Sequence, residues 1–85
     1  MARIELRSIK KIEKEHYVIH SKVTTTFSTF EMNGAKYVQI DTYGNASRNM
    51  PEKLSQSIQI DKESAVFLVK LLSKEFDLSF GVISE

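Results

Sequence analysis

Asn33-Gly34 is the feature that most constrains this chain. The pair stands between two β-rich segments and supplies both left-handed positions of a type I′ turn, so the flanking segments must fold back on each other as a hairpin. The second segment, K-Y-V-Q-I-D-T-Y from Lys36, alternates strictly. Val38 and Ile40 point to one face, and Tyr37, Gln39, Asp41 and Tyr43 to the other. The first segment, Tyr17–Met32, is rich in Val, Thr, Ile, Tyr and Phe, and its β-branched run Thr24–Thr26 disfavours helix. It reads as one long strand with a bend near Ser21–Val23, and it brings Phe30 opposite Tyr37.

A polar loop, Gly44–Lys53, leads to another strand, Lys53–Ile60. This strand is expected to bury Ile58 and Ile60 and to present Ser55, Ser57 and Gln59. Upstream, Ile4 and Leu6 alternate with Arg3, Glu5 and Arg7 as in a short edge strand; the charged run Ser8–His16 reads as its end followed by a solvated turn, with a helical turn as the alternative because Ile9 and Ile12 stand three apart. After Ile60 the period changes. Asp61 is a suitable N-cap for a helix reaching about Phe76. Its apolar residues cover more than half the circumference, which implies burial on two sides, the second against another copy of the chain. The residues assigned to that interface are Val66, Phe67, Val69, Leu71 and Phe76. The tail Asp77–Glu85 is too apolar to hang free and is expected to pack on the helix or add a strand.

The expected architecture is a single α+β domain over residues 1–85, an antiparallel sheet of about four strands followed by one C-terminal helix. Residues 1–21 form a strand extension, 22–76 the sheet-plus-helix core, and 77–85 the tail. Eighty-five residues bury only roughly 60–65% of their unfolded surface, and the absence of cysteine removes disulfides and thiolate metal sites as reinforcement. Self-association is the remaining route to stability. The charged N-terminus lacks the apolar run of a signal peptide, so a cytoplasmic location is expected, with no membrane partner.

Chemistry-bearing motifs are few. His16 and His20 lie four apart in a strand-like pattern, roughly 13 Å from each other, with no third ligand, so no metal is assigned. No serine stands in a nucleophile elbow, three glycines form no phosphate loop, and Asp41 with Glu31 across the hairpin makes no acid–base pocket; neither an enzyme nor a cofactor is expected. The rings are more informative. Phe30, Tyr37 and Tyr43 share the outer sheet face with Gln39, Ser57 and Gln59, with Lys36, Arg48 and Lys53, and also Lys22, placed at its rims. Rings for stacking and cations for phosphates suit a single-strand nucleic-acid binder, while the same rings also suit a second small core under the N-terminal strand or the tail. A net charge of only +1 means that any such site depends on local charge placement.

The succession F-S-T-F-E-M-N-G (Phe27–Gly34), Y-V-Q-I-D-T-Y-G (Tyr37–Gly44), M-P-E-K (Met50–Lys53), S-I-Q-I (Ser57–Ile60) and a helix from Lys62 resembles the single-stranded-DNA-binding transcriptional coactivators related to positive cofactor four, in the wider Whirly fold group. The resemblance covers residues 22–76 and implies a helix-mediated homodimer whose sheets bind single-stranded DNA with low sequence preference. It places Phe30 on the DNA face, Tyr43 in the aromatic cluster ending the second strand, and Lys53 at the basic loop end. Asp41 stands where the family carries a basic residue, and Ser57 where it carries glycine. The assigned nucleic-acid-binding set is Phe30, Lys36, Tyr37, Gln39, Tyr43, Arg48, Lys53 and Gln59. The near-neutral charge and Asp41 favour the alternative, a protein-interaction module that regulates or inhibits a DNA-acting enzyme.

Overall fold

The computed structural model describes residues 1–44 and 53–79. Strands β1 (Ala2–Arg3), β2 (Thr25–Met32), β3 (Ala35–Tyr43) and β4 (Leu54–Ile60) precede one helix, α1 (Lys62–Glu75), and a 3₁₀ turn spans Leu6–Ser8. The strands form one sheet in the order β1-β4-β3-β2. The α+β class holds, but the sheet is mixed: β2–β3 and β3–β4 are antiparallel, while β1 runs parallel to β4.

Asn33 and Gly34 adopt φ of 54° and 78°, the left-handed pair a two-residue hairpin turn requires. The turn sets the register outward from Met32↔Ala35, so Phe30 pairs with Tyr37 and Phe27 with Ile40. The same register explains why β2 is half the expected length. β3 gives out after Tyr43, whose N–H donates to the Thr24 carbonyl at 3.0 Å. Residues 17–23 keep their β propensity but have no strand left to pair with, and Tyr17, Val18 and Ile19 are 74–98% exposed. No bend within a continuous strand is present there.

The N-terminal strand is likewise shorter than the alternation of Arg3–Arg7 suggests. Its ladder contains Ala2↔Ile58 and Arg3↔Gln59, and the Ile4 N–H donates to the Gln59 carbonyl at 3.0 Å. One step further, β4 ends and Asp61 caps the helix, so the chain turns away into the 3₁₀ turn. Ser8 and Ile9 donate their N–H groups back to Glu5 and Leu6.

Helix α1 begins and ends by side-chain and backbone capping. The Asp61 carboxylate accepts from the Ser64 N–H at 2.9 Å. Ser64 is fully buried, and its hydroxyl lies 3.5 Å from the Ile4 carbonyl, which ties the first helical turn to the N-terminal segment. At the other end, Asp77 takes φ 52°, the Phe76 N–H donates to Leu72, and the Leu78 N–H reaches back to the Ser73 carbonyl at 2.9 Å. This six-residue closure stops the helix where the sequence periodicity fades. The expectation for the tail falls largely on residues 80–85, outside the described residues.

Packing departs most from expectation. Among the described residues no apolar side chain is fully buried. Ile58 is 43% exposed and Ile60 only half-buried, so the predicted burial of this pair is not met. Phe27, Val38, Ile40, Ile58 and Ile60 share one sheet face by register, yet Phe27 is 77% exposed. The main backbone contact of α1 is with the 3₁₀ turn rather than with the sheet.

The Asp61 carboxyl is held below its ordinary pKa of 3.8, first by the Ser64 N–H, then by the Ser64 hydroxyl, with the Arg3 charge contributing. A lowered folded-state value means the cap stabilises fully above the unfolded value and loses this contribution as pH falls through the folded one. Asp61→Asn keeps an accepting oxygen but not the charge. Thermal melts should therefore show wild type above Asp61→Asn at neutral pH, with the gap closing below about pH 4.

Candidate nucleic-acid interface

The sheet face opposite Val38 and Ile40 is the candidate site, and its order follows from the register. At one end Phe30 and Tyr37 are cross-strand partners with ring centroids 5.1 Å apart and planes 19° from parallel. Offset rings at such a separation attract beyond their area of contact. Next come Gln39 opposite Gln59, then Asp41 opposite Ser57, and finally Tyr43. Tyr37 and Tyr43 are six residues apart along one strand, about 20 Å. The face is a ribbon with a ring at each end.

Between the rings lies a hydrogen-bonded ladder. The Gln59 amide donates to the Gln39 carbonyl at 2.9 Å, and the Gln39 amide donates to the Asp41 carboxylate at 3.0 Å. The Ser57 hydroxyl donates to the same Asp41 oxygen at 2.5 Å. Ser57 is buried, at 7% exposure, because it sits on a strand flanked on both sides. Asp41 thus serves as the shared acceptor of the face. Tyr43 is fixed separately, its hydroxyl hydrogen-bonded to that of Thr26 at 3.2 Å.

A bulge reshapes the Tyr43 end. Thr42 pairs with Gln56 but Tyr43 with Leu54, so Ser55 is the extra residue. Beyond it the side-chain alternation inverts, and Leu54 instead of Ser55 joins the polar face beside Tyr43. Strict alternation from Ser57 predicts the opposite.

The assigned residues divide accordingly. Phe30, Tyr37, Gln39, Tyr43 and Gln59 are brought to one face and are half-buried. Lys53 lies at the Tyr43 end, its carbonyl accepting from the Gly44 N–H at 2.8 Å. Lys36 pairs with Glu31 on the Val38 side and does not join the rings. Glu31 therefore does not meet Asp41, which pairs instead with Thr26. Arg48 lies outside the described residues, and Lys22 is exposed in the stretch before β2. His16 and His20 are exposed outside any strand, and among the described residues no group of three or more His, Asp or Glu side chains gathers as metal ligands. On the helix, Val66, Val69, Leu71 and Phe76 are 40–69% exposed and Phe67 is half-buried. No helix among the described residues is long and apolar enough to cross a membrane.

Sequence reasoning missed Arg3. Its pairing with Gln59 sets it on the polar face, where its guanidinium carbon lies 5.8 Å from the Tyr37 ring centroid. The alternation around Arg3 indicated a strand but not its parallel partner nearly sixty residues away.

Compared with known proteins, the chain matches no family model, no curated protein and no solved structure.

The ladder has a testable asymmetry. Asp41→Leu strands the buried Ser57 hydroxyl without its acceptor and should cost about 1–3 kcal/mol in urea unfolding. Ser57→Ala removes only a donor from a half-exposed carboxylate and should cost less.

Proposed function

We propose that the ring-bearing sheet face binds single-stranded nucleic acid, DNA foremost, without catalysis and with low sequence preference. The observation that carries this reading is the ribbon itself: Phe30–Tyr37 at one end, Tyr43 at the other, and a fixed amide–carboxylate ladder between. Rings held half-exposed on a sheet offer planar surfaces on which any base stacks. The Gln39 and Gln59 amides bond chiefly to each other and to Asp41, so base edges are not their main partners. That arrangement favours stacking over sequence readout. The resemblance to the positive cofactor four-like coactivators supports the same reading, and Asp41 on the face argues for modest affinity.

The second part of the proposal is that two copies associate through α1 and the uncovered apolar sheet face. What supports this part is the exposure of apolar side chains on both of those surfaces. Phe27, Ile58, Val66, Val69 and Phe76 all contribute apolar surface.

Two experiments test these statements. Anisotropy of a labelled oligothymidine should show saturable binding that weakens steeply with salt. Phe30→Ala and Tyr43→Ala should each weaken it by about 1–3 kcal/mol, with circular dichroism confirming the fold. Absence of binding at low salt rejects the reading, and salt-insensitive capture of a protein instead would favour the regulator alternative. In sedimentation equilibrium the wild type should be a dimer with a concentration-dependent Tm, and Val69→Glu should dissociate it. A monomeric wild type rejects the second part.

A further inference from the structure

Arg3 stands at a boundary on the polar face. Being paired with Gln59, it rises beside the Gln39–Gln59 rung at the outer edge of β4. On one side is a hollow of about 220 Å³ lined by the rings of Phe30 and Tyr37 together with Met32 and Asn33. On the other is a hollow of about 340 Å³ lined by Gln39, Leu54 and Ser57. Arg3 and Gln59 line both. A ring-walled recess and an amide-walled recess thus share one cationic partition.

The guanidinium is only lightly engaged. It has five N–H donors. Among the described residues its side-chain hydrogen bond is the one from Nη1 to the Tyr37 hydroxyl, at 3.4 Å. Asp61 feels the Arg3 charge, but its carboxylate caps α1 through Ser64. Arg3 also borders a hollow lined by Glu5, Asp61 and Glu63 together with Arg7; three carboxylates outnumber two guanidinium groups there, so the polar face is the more favourable approach for an anion. Contact with the Tyr37 ring orients the planar fork without consuming it.

We propose that Arg3 is the phosphate anchor of this face. Its fork holds the phosphate that links two nucleotides, with the base on one side seated against Phe30 and Tyr37 and the next lying over the Gln39–Gln59 rung. The proposal rests on the single-strand reading above and specifies where a strand is pinned. Arginine matters here because its planar fork matches phosphate oxygens in pairs, whereas lysine supplies a point charge.

The test measures oligothymidine affinity across a series of salt concentrations for wild type, Arg3→Ala and Arg3→Lys, with thermal melts as a check on folding. Arg3→Ala should lose about tenfold in affinity, and the slope of log K against log salt should shrink by about 0.7, the share of one phosphate contact on a single strand. Arg3→Lys should restore the slope but only part of the affinity. An affinity loss with unchanged slope makes Arg3 merely a brace for Tyr37 and overturns the proposal, as does an unaltered Arg3→Ala. Either result leaves the single-strand reading standing, whereas a wild type that fails to bind at low salt removes both.

Discussion

Pairing of β3 with β2 on one edge and β4 on the other supports the remaining structure, because no apolar side chain among the described residues is fully buried. Ladder hydrogen bonds each contribute only about 1 kcal/mol net, and a sheet is ordinarily held by what packs on its faces. Here the polar face is the one tied together by side-chain contacts. Stacked rings, the Asp41-centred ladder and the Thr26–Tyr43 bond fix it within one chain. The apolar face, with Phe27 and Ile58 open, has the composition of an interior and the exposure of a surface. It is this mismatch that motivates the proposed association of two copies.

What the sequence made legible is what local chemistry decides. The Asn33-Gly34 turn set a register that propagated correctly to Phe30–Tyr37, since a two-residue hairpin leaves no freedom in pairing. The Asp61 cap and the change of period after Ile60 located the helix to within a residue at each end. What was not legible depends on partners distant in the chain. Tyr17–Thr24 has the composition of a strand, but β3 is too short to pair with it, and composition carries no record of a neighbour's length. Arg3 joined the site only because β1 runs parallel to β4, an arrangement no turn residue announces.

Errors at the site have the same origin. Alternation read back from Ser57 presents Ser55 on the polar face, and Lys36 is expected at the rim of that face. A bulge exchanged Ser55 for Leu54, and parity set Lys36 with Glu31 on the opposite side. Both outcomes follow from period two once the register is known. Asp41 illustrates the converse. From the sequence it is a charge that opposes phosphates, whereas in the fold it organises Ser57 and Gln39 and thereby stiffens the surface between the rings. A carboxylate engaged in this way repels a strand less than a free one, because donated N–H and O–H dipoles offset part of its field.

The distribution of cations then matters more than their number. With Lys36 on the apolar side, the cation that strand register places on the polar face is Arg3, beside the Phe30–Tyr37 pair, while Lys53 adjoins the Tyr43 end through its backbone. On the proposed reading, an extended polyanion crossing the face would meet charge and stacking at the Phe30–Tyr37 end and stacking on Tyr43 at the other, passing over the carboxylate in between. Twelve basic residues against eleven acidic ones give no excess for general attraction to phosphate. On that reading the two ends would have to be engaged together, and the span of about 20 Å between Tyr37 and Tyr43 would set the shortest strand able to engage both.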